Sequence, residues 1–369
     1  MSCAAATLFI FRSPPPEASA EERTASLMPP ATPIPLPTQK PSPTPTETSE
    51  PTPTPSAAER VAKCKDNGEG GTVQLTANWK VGDTRTLEVV RYRQRFLQRR
   101  SRVIVQSADR YRITVLDATP TGYTLEWKIE DSRVQKGADV RNLTAEDMLL
   151  QDMLTLLPSL RIVYTTDING AYQQIQNWDQ VLAFHNQLHD LFNLRMEQTV
   201  RSKNTREQLM NATAPIWTDY AQIEQLYTQE IRAYHGIYGL SVGTLQSVRR
   251  ADQLPSLLGN LPLESESEVK LSTFNPQSKC AFLDLRRYLT PPSMQQLLKD
   301  YLTRQTKASS VPSSSGDGFA ATKIEDGIHY SVDMNSSWLQ AAQMRRVTMV
   351  ENLNMIDGII IVDRNTNTP

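Results

Sequence analysis

The chain has 369 residues, 39% of them hydrophobic and 21% charged, with 39 basic and 40 acidic side chains for a net charge of −1. This balance excludes the broad basic excess of a dedicated nucleic-acid binder, so no nucleic-acid partner is expected. No stretch approaches the ~18 consecutive apolar residues that cross a bilayer, and the run "CAAATLFIF", Cys3 to Phe11, is far too short.

Fourteen of the 24 prolines lie before Ser56, and Ala31 to Ser56 reads "ATPIPLPTQKPSPTPTETSEPTPTPS". Proline alternating with Thr and Ser fixes φ, removes backbone donors and supplies almost nothing to bury. An extended spacer with polyproline II character is therefore predicted. The expected organisation is an anchor region and stalk over 1–58, then a single β-rich domain over 59–369, large enough to hold its own core. The opening "MSCAAA" resembles the end of a bacterial lipoprotein signal, with Cys3 in the place of the lipid-bearing cysteine. It departs from that pattern in having only Met1 and Ser2 where a basic start and an apolar run belong. The resemblance implies an extracytoplasmic protein attached to the bacterial cell envelope, touching the membrane only through its N-terminal anchor. With Cys3 lipidated, Cys64 and Cys280 remain as an even pair in an oxidising compartment and are expected to be bonded or adjacent.

From Ala77 the pattern is mostly that of strands. A turn at Gly82-Asp83 precedes β-formers through "TRTLEVVRYRQRFLQ". In "RYRITVLDATPTGYTLEWKIED", Tyr111, Ile113 and Val115 alternate up to the turn, and Tyr123, Leu125, Trp127 and Ile129 alternate on the return. "LRIVYTTDINGAYQQIQNW" repeats the device around Asn169-Gly170. Such meandering pairs predict an antiparallel sheet. Trp178 to about Lys203 carries an apolar stripe at helical period, with Asn177 as N-cap. A second helix is predicted from Pro215 to about Gly236, completing a helical hairpin over 178–236. The section to Pro262 reads as irregular. Strands resume with "SEVKLSTFN" and "KCAFLDLRRYL", a short helix is predicted from Pro291-Pro292, and "KASSVPSSSGDG" reads as a loop. Three strands close the chain: "ATKIEDGIHYSVDM", "SWLQAAQMRRVTMV" and "MIDGIIIVD".

Four blocks in this order, "WKVGD", "TGYTLEW", "YTTDINGAYQQIQNWDQV" and "YSVDMNSSWLQAAQMRRVTM", resemble a group of exported β-rich bacterial lipoproteins. In that group the last block has Gly-Trp where this chain has Ser337-Trp338. The resemblance implies an α+β fold, a large curved antiparallel sheet forming an incomplete barrel with a helical hairpin and a further short helix packed on it. It is similar in this to lipoprotein-carrier half-barrels, and it brings no catalytic residues.

Three sets of residues are candidates for chemistry. His185 and His189, at i and i+4 on one helix face, have a spacing that can chelate a metal, but Asn186 stands where a zinc-peptidase helix needs Glu. Their place inside an apolar stripe favours packed core histidines, and no metal is assigned. Arg91, Arg93 and Arg95 share one strand face and would contact an anionic surface, or form a solvated face that discourages aggregation. Tyr220, Tyr227, Tyr234 and Phe192 would line a ligand cavity under the helices, or simply pack as core. There is no Gly-x-Ser-x-Gly elbow, no Walker loop and no Gly-x-Gly-x-x-Gly.

These readings lead to a non-enzymatic, cofactor-free domain that binds or carries an amphipathic or lipid-like molecule in an apolar pocket. The alternatives are a structural or interaction module recognising a protein or envelope polymer, and a metal-dependent hydrolase using the two histidines.

Overall fold

The computed structural model describes residue 64 and residues 70–97, 100–135, 155–200, 202–254, 263–290, 292–293, 295, 323–335, 337–350 and 353–365. The stalk, Cys3, most of the short helix expected after Pro292 and the "KASSVPSSSGDG" loop lie outside the described residues.

In chain order the elements are β1 (Thr72–Gln74), β2 (Thr84–Leu97), β3 (Arg100–Thr119), β4 (Gly122–Gln135), β5 (Arg161–Asp167) and β6 (Tyr172–Ile175). Three helices follow: α1 (Trp178–Thr199), α2 (Lys203–Thr218) and α3 (Tyr220–His235). Then come β7 (Ser241–Gly243), β8 (Ser247–Leu254), β9 (Leu263–Asn275), β10 (Cys280–Leu289), β11 (Lys323–Asp333), β12 (Leu339–Val350) and β13 (Leu353–Asp363). β1 pairs with β7, and the other eleven strands form one antiparallel sheet in the order β6-β5-β4-β3-β2-β13-β12-β11-β10-β9-β8. The fold is α+β, with a large antiparallel sheet not closed into a barrel. Neighbouring strands are consecutive in sequence except at the centre, where the last strand pairs with β2 and joins two meanders.

Alternation decides which face each residue takes. Tyr111, Ile113 and Val115 of β3 and Tyr123, Leu125, Trp127 and Ile129 of β4 all lie buried on the inner face, as their period of two requires. The helices cover that face: Val181, Leu188 and Phe192 of α1 and Ile223, Tyr227, Ile231 and Tyr234 of α3 complete one core cluster with the sheet. Asn177 ties the start of α1 to β5, its Oδ1 accepting from Val163 N (2.7 Å) and its Nδ2 donating to the Arg161 carbonyl (2.9 Å).

Two expectations need correction. Pro215 does not open a helix; it lies inside α2, and α3 begins after Asp219, whose carboxylate accepts from Ala221 N (2.9 Å) and Gln222 N (3.4 Å). An acidic cap supplies partners to orphaned helix-start amides, which Pro215 does not. The section read as irregular contains β7 and β8, strands too short or too polar to show a strong alternating pattern.

The four sequence blocks converge on one aromatic cluster. Trp79 stacks on Trp338 with ring centroids 4.6 Å apart and meets Tyr123 (5.0 Å), Tyr238 (5.4 Å) and His235 (5.8 Å). Gly170, at φ +99°, closes the β5–β6 turn against it; a Cβ there would stand 2.7 Å from the Tyr238 ring. The Ser337 carbonyl accepts from Trp79 Nε1 (3.2 Å) and Tyr238 OH (3.1 Å), and Ser337 itself sits at φ +53°, a left-handed conformation that glycine adopts without cost.

Candidate functional site

One rung of the sheet carries a row of charged side chains, of which Arg93, Asp326 and Arg346 are buried. The register places Arg250, Ser267, Arg287, Asp326, Arg346, Asp357 and Arg93 opposite one another across β8, β9, β10, β11, β12, β13 and β2. Signs alternate from Arg287 onward, so each carboxylate stands between two guanidiniums, the arrangement that cross-strand pairing favours. Asp326 is fully buried and takes a two-pronged bond from Arg346 (2.6 and 2.7 Å), with Arg287 Nη1 at 3.8 Å. Arg93 Nε donates to Asp357 Oδ1 at 2.5 Å, and Arg287 Nε donates to Asp252 of β8 at 2.9 Å.

Beside this rung Arg91 enters the core. Its guanidinium donates to Glu230 Oε1 of α3 (2.8 Å), to the Tyr111 hydroxyl (2.5 Å) and to Asp109, which also accepts from Ser132 Oγ. Burial on its own weakens the proton affinity of Arg91, but Glu230 and Tyr111 more than offset this and the guanidinium is held above its ordinary range. For Glu230 burial acts upward and Arg91 downward, and the carboxyl ends below its usual value.

At the open seam between β6 and β8, a cleft of about 420 Å³ lies between the outer side of α3 and the sheet. Its floor includes Ile328 and Met344, both buried. Its walls carry four arginines, Arg232, Arg250, Arg287 and Arg346, against two carboxylates, Glu224 and Asp252. Arg232 pairs with Glu224 (2.7 Å) and lies over the Tyr172 ring, 4.6 Å from its centroid. Arg250 donates to Ser267 Oγ (3.2 Å) and to the Gly236 carbonyl at the end of α3 (3.4 Å). A second depression, about 540 Å³, borders β2, β3 and β4 and is lined by Glu88, Asp109, Glu130 and Asp131 with Arg110, Arg133 and Arg364, so it has no cationic excess.

The sequence-selected residues fall elsewhere. Phe192, Tyr227 and Tyr234 are packed in the core, 2%, 3% and 0% exposed, and none borders the cleft; Tyr220 is 64% exposed and also outside it. Burial raises the Tyr227 and Tyr234 hydroxyls well above the ordinary tyrosine range. They fill the layer between helix and sheet because α3 lies directly on it, with Tyr234 OH donating to the Leu339 carbonyl (3.2 Å). Arg91 and Arg93, read as contacts for an anionic surface or as a solvated face, are 4% and 6% exposed and ion-paired within the protein, so neither reading holds for them. The side chain of Arg95 lies outside the described residues. His185 is buried with Nδ1 3.1 Å from Tyr227 OH, and His189 stacks on Trp217 at 4.8 Å. Among the described residues no group of three or more His, Cys, Asp or Glu side chains is placed to hold a metal. Cys64 and Cys280 are joined by a disulfide.

No protein-family model matches the chain, and no curated protein does either. Among solved structures, it is similar to one described as "Lipid-protein interactions in lipovitellin", at 8% identity and a TM-score of 0.37 over 79% of this chain. The chain spans about a quarter of that protein, 26% of its length. A fainter likeness, at 7% identity and a TM-score of 0.12, is to an outer membrane channel from Pseudomonas putida F1, covering 78% of this chain and 97% of that one.

Proposed function

We propose that the protein binds an amphipathic, lipid-like molecule in the cleft between α3 and β8–β12, as a non-enzymatic domain held to the bacterial cell envelope by its Pro/Thr-rich stalk. The observation that carries this reading is the cleft itself: an apolar floor of Ile328 and Met344 beside walls rich in guanidinium groups. Such a division suits a molecule with one apolar and one polar part. This reading puts the ligand at the seam rather than under Tyr227 and Tyr234, because those side chains are packed in the core. An extracytoplasmic location is supported by the lipoprotein-like "MSCAAA", by the stalk composition and by the Cys64–Cys280 disulfide, a bond that persists in oxidising compartments.

The packed interlayer also favours a second reading, an interaction module that recognises a protein or envelope polymer through its surface. Titration with a fluorescent fatty acid separates the two. Ala221 lines the cleft and is exposed, so Ala221→Trp should block probe binding with little change in melting temperature. A wild-type chain that binds no amphipathic probe rules out the first reading, and an Ala221→Trp variant that binds normally removes the ligand from the cleft.

A further inference from the structure

We infer that the β8 end of the cleft is an oxyanion subsite, centred on Arg250, that takes the carboxylate or phosphate head of the bound molecule; this rests on the reading of the cleft as a ligand site. Three of the four cleft arginines already face acids: Arg232 faces Glu224, Arg287 faces Asp252 and Asp326, and Arg346 faces Asp326. Arg250 differs. Both its acceptors, Ser267 Oγ and the Gly236 carbonyl, are neutral, and it makes no ion pair with any described residue. Those two bonds hold the guanidinium in place, and a group with five N–H donors has others to offer. Asp252, two positions along β8, is committed to Arg287, so it neither neutralises Arg250 nor leaves the cleft without a cationic excess.

Guanidinium forks match the two oxygens of a carboxylate or phosphate. The apolar floor of Ile328 and Met344 adjoins the same space, so the head would bind at β8 with its tail along the floor.

The test compares four probes on the full chain: oleate, the neutral oleyl alcohol, dodecyl phosphate and inorganic phosphate. Each is titrated into wild type, Arg250→Gln and the outer-face control Arg286→Gln, with melting temperatures measured alongside. Oleate and dodecyl phosphate should bind at least about tenfold tighter than oleyl alcohol. Arg250→Gln should erase that preference while leaving oleyl alcohol affinity unchanged, since a hydrogen bond to a charged partner contributes about this much. Arg286→Gln should behave as wild type. Equal affinity for oleate and oleyl alcohol in wild type overturns the inference, as does an equal loss of both in Arg250→Gln. Inorganic phosphate binding that disappears in Arg250→Gln, with no binding of any amphiphile, keeps the oxyanion subsite and discards the lipid-like ligand. Binding of none of the four discards both.

Discussion

Arg91 of β2 and Glu230 of α3 meet across the interior, Nε to Oε1 at 2.8 Å, both side chains only 5% exposed. Asp109 is the second acid on the same guanidinium, so one cation serves two buried carboxylates. The two ends of this cluster are therefore unequal. Arg91→Met strands two like charges without their counter-ion and should destabilise by about 3–5 kcal/mol. Glu230→Gln leaves the Arg91–Asp109 pair intact and should cost less, about 1–3 kcal/mol. Denaturant unfolding at pH 7 measures both, and equal costs would contradict the shared-cation arrangement.

His235 predicts an acid limb in stability. Its Nδ1 lies 2.7 Å from the Gly170 carbonyl, which can only accept, so Nδ1 carries the proton and Nε2 accepts from Tyr164 OH at 2.9 Å. Burial disfavours the charged ring and lowers its pKa to about 4. The unfolded chain, titrating near 6.5, binds the proton first as pH falls, so stability should decline from about pH 6.5 to pH 4, by about 3 kcal/mol in all. Glu230 acts in a lower window: its depressed carboxyl contributes above its unfolded value and is lost only as pH falls through its folded one. His235→Gln should flatten the slope between pH 6.5 and 4, whatever it costs at neutral pH. A slope that survives in the variant would assign it to another group.

Ser337 should be improvable. A non-glycine residue at φ +53° carries a backbone cost of about 1–2 kcal/mol, partly offset because glycine loses more freedom on folding. Ser337→Gly should raise stability by up to about 1 kcal/mol, and its carbonyl should go on accepting from Trp79 and Tyr238. A lower melting temperature would show that the serine side chain holds the turn.

The Cys64–Cys280 bond spans 216 positions. In the chain-entropy picture closing a loop of that length stabilises by about 5 kcal/mol. Cys64→Ser with Cys280→Ser should lose a large part of that, read as a drop in the denaturant midpoint, with a steeper slope because the unfolded chain is no longer cross-linked. Thiol titration of the denatured, unreduced protein should find neither cysteine free.

Much of the sheet was legible because alternation is a local property. Tyr111 to Val115 and Tyr123 to Ile129 face the core wherever their strands pair. The helix boundary was misread because Pro215 resembles a first-turn proline, while the actual cap, Asp219, is one acidic residue among many. The candidate site was less legible still. Arg287, Asp326, Arg346, Asp357 and Arg93 are scattered over five strands, and only register shows that they form one row. Register across β13 and β2 depends on a pairing between distant parts of the chain, which no short window contains. Nothing in the sequence sets Arg250 apart from other arginines; its place beside the end of α3 follows from the fold alone.

The pairing of β13 with β2 has a bearing on how the chain is made. As a ribosome delivers it, β2 to β6 are the first strands of the large sheet to emerge, and β2 waits as an unpaired edge while the helices and six further strands are synthesised. Long unpaired edges invite pairing with other chains. Arg91 and Arg93, set on the face that later becomes interior, make the waiting edge hard to stack or bury until Glu230 of α3 and Asp357 of β13 arrive. The same arginines that tie the finished protein together would thus keep its nascent half apart from neighbours, and the middle of the sheet would be the last part to set.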